Sequence, residues 1–75
     1  MFETIKNILI EEFAIDADMI TESARLDTDL GISSLDLAEL AFRCESEFGV
    51  EIKDEDIATL LTVGDIANYI DDNRQ

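Results

Sequence analysis

Residues 30–40 read LGISSLDLAEL, a glycine and two adjacent serines that run directly into leucines and carboxylates at helical spacing. Ser33 followed three residues later by Asp36 has the form of a capping box, in which the serine hydroxyl accepts from a backbone N–H that the helix leaves unpaired. That pattern makes Ser33 a helix cap and Ser34 the first helical residue. At about 100° per residue, Leu37, Leu40, Ala41, Cys44 and Phe48 fall in one sector and form the face expected to be buried. Leu35, Ala38 and Phe42 cluster on a different side, flanked by Glu39 and Glu45. A second apolar stripe on one helix has two uses. It packs under a neighbouring segment, or it docks a partner that offers an apolar hollow ringed by lysine and arginine.

Downstream, Asp54, Glu55 and Asp56 favour the positive end of a short third helix carrying Ile57, Leu60 and Leu61. Thr62 with Asp65 repeats the capping pattern, and Val63, Ile66, Ala67 and Ile70 give the last helix its buried stripe. Upstream, Phe2, Ile5, Leu9 and Phe13, with Ile8 at the flank, recur at steps of three and four and predict the first helix. Periodicity fails from about Asp16 to Ser33, where a connection so long is functional or well anchored. Ile20, Leu26, Leu30 and Ile32 are the expected anchors. The expected fold is all-α, with three longer helices, a short third helix and a long loop between helices one and two.

The chain has 75 residues, 47% of them apolar, which predicts a single domain over residues 1–75 rather than a disordered acidic tail. A chain of this size buries only about 60% of the surface its unfolded form exposes, so modest stability is expected. Nineteen acidic and five basic residues, with no histidine, give a formal charge of -14. That charge disfavours nucleic acid and anionic membrane surfaces as partners and favours basic protein surfaces. One cysteine forms no internal disulfide, and the sequence contains neither a membrane-spanning apolar run nor a signal-peptide pattern. A cytoplasmic location without stable membrane insertion, and a monomeric state, are expected.

The inventory of reactive groups points away from catalysis. Without histidine, neither Ser34 nor Cys44 has the usual base, and Cys44 falls on the core stripe, where a thiol is structural. No metal site is expected either. A calcium loop counted from Asp27 needs an oxygen ligand at its fifth position, glycine at its sixth and glutamate at its twelfth, but the chain supplies Gly31, Ile32 and Ala38. A serine that opens a helix can instead carry a phosphate, because the first backbone N–H groups lack helical partners and the dipole end is positive. Spacing alone leaves that reading beside the simpler one of a capping residue.

Residues 29–40, DLGISSLDLAEL, resemble the acyl carrier protein signature D-L-G-x-D-S-L-D-x-x-E-L, with Asp29, Leu30, Gly31, Ser34, Leu35, Asp36, Glu39 and Leu40 matching it. EFGVEIKDEDIATLLTVGDIANYI, residues 47–70, is similar to the family's third and fourth helices. The resemblance implies a four-helix bundle of acyl-carrier type. It further implies 4'-phosphopantetheine esterified to Ser34, with Ser33 as the cap, and a protein that is a substrate rather than an enzyme. Acyl chains would be held as thioesters and presented to fatty acid, polyketide or lipid-modifying enzymes.

The implied partners are a phosphopantetheinyl transferase and acyl-transferring and chain-modifying enzymes with basic docking patches. Leu35, Asp36, Ala38, Glu39, Phe42 and Glu45 would form the docking face. Three positions depart from the family pattern. Ser33 stands where aspartate is usual, Lys53 where proline is frequent, and Phe42 where methionine is often seen, which together suggest a specialised rather than a housekeeping member. The alternatives are a carrier loaded with an amino acid or peptide, and an acidic interaction module that is never modified.

Overall fold

The computed structural model describes residues 1–74 and contains four α-helices, α1 Phe2–Phe13, α2 Ser34–Phe48, α3 Asp54–Ile57 and α4 Val63–Asn73. Among the described residues there is no strand, only one isolated bridge between Arg25 and Thr62. The fold is the expected all-α one. Helix α1 buries Ile5, Ile8 and Leu9 and stops where Ala14 turns left-handed at φ 54, its N–H donating to the Ile10 carbonyl at 3.0 Å. Helix α2 buries Leu40 and Cys44 and ends at Gly49, whose φ of 69 is a conformation that glycine adopts without the steric cost of a side chain. Helix α4 opens with the predicted box between Thr62 and Asp65 and buries Val63, Ile66, Ala67 and Ile70.

Three expectations need correction. On the face of α2 expected to be buried, Leu37, Ala41 and Phe48 are only half-buried, as are Phe2 and Phe13 on α1. The third helix ends at Ile57, so Leu60 and Leu61 lie beyond it, Leu60 buried and Leu61 47% exposed. The chain leaves the helix there because the Leu61 carbonyl is drawn into a bond with the Leu26 N–H at 3.0 Å, beside the bridge from Thr62 to Arg25. Of the loop anchors, Ile20, Leu26 and Ile32 are buried together with Ala24, whereas Leu30 is only half-buried.

Non-local backbone bonds pin that loop. Val63 N–H donates to the Ala24 carbonyl at 3.1 Å, and Gly64 N–H to the Glu22 carbonyl at 2.9 Å. Within the loop, Ala17–Met19 forms one 3-10 turn capped by the Asp16 carboxylate. No polar or charged residue is buried among the described residues, so the core is a continuous apolar cluster between α1, α2, α4 and the loop. No helix among them is long and apolar enough to cross a membrane.

Candidate functional site

The start of α2 is fixed by Ser33. Its extended backbone (φ -77, ψ 171) stands just outside the helix, its Oγ accepts from the Asp36 N–H at 3.2 Å, and the Asp36 carboxylate accepts from the Ser33 N–H at 3.3 Å. The Leu37 N–H closes the first helical bond onto the Ser33 carbonyl at 2.8 Å. Two first-turn N–H groups, of Ser34 and Leu35, remain without a partner among the described residues and point out of the positive end of the helix. Ser34 is exposed, and no hydrogen bond among the described residues occupies its hydroxyl. One serine is consumed by architecture and the next is free for chemistry.

Beside Ser34 runs an open groove of about 370 Å³. Ile32, Leu37, Ile57 and Leu61 give it apolar walls, and the carboxylates of Asp27 and Asp54 stand at its edges. Asp27 is held below the ordinary carboxylate range, chiefly by the hydrogen bond from the Arg25 side chain and then by the Thr28 N–H. The Asp29 carboxylate accepts from the Arg25 N–H at 2.8 Å. Both loop carboxylates are therefore engaged in shaping the turn that carries the chain towards Ser33.

The second stripe of α2 faces outwards. Leu35 is 72% and Phe42 73% exposed, Ala38 is exposed between them, and Glu39 and Glu45 are exposed at its margins. Asp36 is half-buried, with its carboxylate turned into the capping box. A shallow hollow borders Phe42, formed with Glu12, Glu39, Arg43 and Ser46.

Arg43, the sole basic residue of α2, is the feature that sequence reasoning missed. Its guanidinium is paired with Glu47 at 3.1 Å, Glu11 at 3.4 Å and also Glu12, which ties the end of α1 to α2 and cancels the positive charge next to the stripe. The step of four from Arg43 to Glu47 was a visible signal for part of this cluster. Contacts with α1 were not. Cys44 is fully buried, and burial pushes its thiol up to about 11, so it is a packing residue rather than a nucleophile.

The family model described as the phosphopantetheine attachment site matches residues 3–70. A solved structure of an acyl carrier protein from Enterococcus faecalis, described for the structural components that contribute to its high thermal stability, is similar to this chain with a TM-score of 0.81. The two are 35% identical over 96% of this chain and 91% of that one. The chain belongs to the acyl carrier protein family.

An acyl carrier protein is a carrier and not an enzyme, and its cofactor is phosphopantetheine. The residues at the start of α2 fit that group. An exposed, unengaged hydroxyl is available for a phosphodiester, two forward-pointing N–H groups complement its negative charge, and an apolar groove opens alongside.

Proposed function

We propose that Ser34 carries the 4'-phosphopantetheine arm and that the chain presents acyl groups to fatty acid, polyketide or lipid-modifying enzymes. The observation that carries this reading is the exposed Ser34 hydroxyl at the first turn of α2, held there by the box between Ser33 and Asp36. The arm supplies a terminal thiol on which an acyl group rides as a thioester. The N–H groups of Ser34 and Leu35 offset the phosphodiester charge, and the groove walls of Ile32, Leu37, Ile57 and Leu61 offer the acyl tail a surface away from water.

Leu35, Ala38 and Phe42 are the apolar anchors of the docking face, with Asp36, Glu39 and Glu45 as its charged rim. Partners are a phosphopantetheinyl transferase and acyl-transferring enzymes whose docking patches are basic. The charge of -14 speeds encounter with such patches, while the apolar anchors, covered only on docking, set residence. Phe42, stiffer than an unbranched side chain, narrows the set of hollows that fit, in keeping with a specialised carrier. The protein acts as a cytoplasmic monomer.

The test is acyl loading. After incubation with coenzyme A, a phosphopantetheinyl transferase and an acyl-transferring enzyme with its acyl donor, the wild type gains an acyl group that hydroxylamine removes, and Ser34→Ala gains none. Hydroxylamine-labile acylation of Ser34→Ala would overturn the reading.

A further inference from the structure

The groove beside Ser34 has one wall with few attachments. Helix α3 has only four residues, buries none of them, and begins after Lys53, which makes no side-chain cap. Its backbone bonds are all local, from the N–H groups of Asp56 and Ile57 to the Lys53 carbonyl, of Thr59 to Asp56 and of Leu60 to Ile57. The segment hangs between two buried side chains, Ile52 and Leu60.

Among the described residues a single side-chain hydrogen bond joins α3 to another helix. The Tyr69 hydroxyl, on α4, donates to the Asp56 carboxylate at 2.8 Å, and it also lies 3.5 Å from the Glu51 carbonyl at the other end of the segment. Asp54 and Ile57, with Ala58 just beyond the helix, line the groove, while Asp56 is turned back to α4. Tyr69 is half-buried, so the bond is partly shielded from water and its acceptor is charged, the circumstances in which a hydrogen bond counts for most.

We propose that the bond from Tyr69 to Asp56 is a latch that holds α3 against α4 and thereby sets how often the groove beside Ser34 opens. The proposal rests on the reading of Ser34 as the attachment site, because a latch on this groove governs cargo only where cargo is tethered beside it. With the latch closed, Ile57 and Ala58 form the wall seen here. With it broken, α3 pivots on Ile52 and Leu60, the wall withdraws and a sheltered acyl group becomes accessible to water and to partner enzymes. Local opening of this kind is expected of a short element held by few contacts.

Amide hydrogen exchange on the unmodified full chain tests the latch without reference to the arm. Tyr69→Phe keeps the ring and removes the donor. It should speed exchange at Asp56, Ile57, Thr59 and Leu60 by about tenfold or more, while amides in α1 and in the middle of α2 stay at the wild-type rate. Asp56→Ala should match it and the double variant should add little, whereas Asp56→Asn, which keeps an acceptor oxygen but loses its charge, should fall between wild type and Asp56→Ala. Unchanged exchange in Tyr69→Phe, or acceleration spread equally over α1 and α2, would overturn the latch.

The second readout is the rate at which hydroxylamine cleaves an octanoyl thioester carried on the arm, which Tyr69→Phe should raise in step with exchange. Faster exchange with unchanged cleavage would refute control of cargo. Absence of loading at Ser34 would overturn the reading of the site and the control of cargo with it, and exchange in the unmodified chain would still decide the latch.

Discussion

Moving one residue along the chain, from Ser33 to Ser34, takes a hydroxyl from inside a reciprocal capping box to open solvent beside a groove. The consequences of substitution separate accordingly. Ser33→Ala should lower unfolding free energy by about 0.5–2 kcal/mol, read from urea denaturation, because the Asp36 N–H loses its acceptor. Ser34→Ala should leave stability within about 0.5 kcal/mol of wild type and yet abolish loading. Cys44 allows a pH test whose sign follows from its environment. Its thiol is raised in the folded state from an ordinary 9.0 to about 11, so the native chain holds a proton that the unfolded chain gives up first. The resulting stabilisation is fully present below pH 9.0 and is lost as pH rises to about 11. The stability difference between wild type and Cys44→Ala should therefore shrink across that window, and a difference that stays flat would contradict burial of the thiol.

Among the elements, α2 shows how much was legible in the sequence. The capping box and the division of the helix into two apolar stripes follow from spacing, because each depends on residues three or four apart, but spacing did not say that Leu37, Ala41 and Phe48 are only half-buried or that Leu35, Ala38 and Phe42 are left uncovered. The short bounds of α3 did not follow. Leu60 and Leu61 continue the apolar pattern, but the backbone there is committed to the loop through the Leu26 bond and the bridge from Arg25 to Thr62, pairings of residues far apart in sequence. The groove was equally hidden, since its walls come from the loop, α2, α3 and the segment after it.

A close approach locks the loop to α4, where a Cβ on Gly64 would meet the Glu22 carbonyl oxygen at 2.9 Å. Gly64→Ala should destabilise by roughly 1–3 kcal/mol despite the better helix propensity of alanine, measured as a lower urea midpoint. On the outer face of α2, Glu39→Lys should slow acyl transfer to partner enzymes with no change in helical circular dichroism, because it reverses the sign of the exposed rim beside Phe42. Unaffected transfer would remove the docking role from this face.

Across the whole molecule, a formal charge of -14 is spread over a core that contains no buried charge among the described residues. Few of the carboxylates are compensated. Arg43 neutralises part of the cluster at Glu11, Glu12 and Glu47, and Arg25 serves Asp27, but most of the acidic surface repels itself. The melting temperature should therefore climb from low salt to about 1 M, where screening reaches only about 3 Å, and a flat profile would count against repulsion as a limit on stability. On the proposed function, the same charge that weakens the fold favours encounter with basic partner surfaces.

The central claim is that this one hydroxyl carries the arm. Intact-mass spectrometry after incubation with coenzyme A and a broad-specificity phosphopantetheinyl transferase, followed by peptide mapping, tests it most directly. The predicted result is a single phosphopantetheine adduct that maps to Ser34, while an adduct on Ser33, or none on a chain that folds as described, would contradict it.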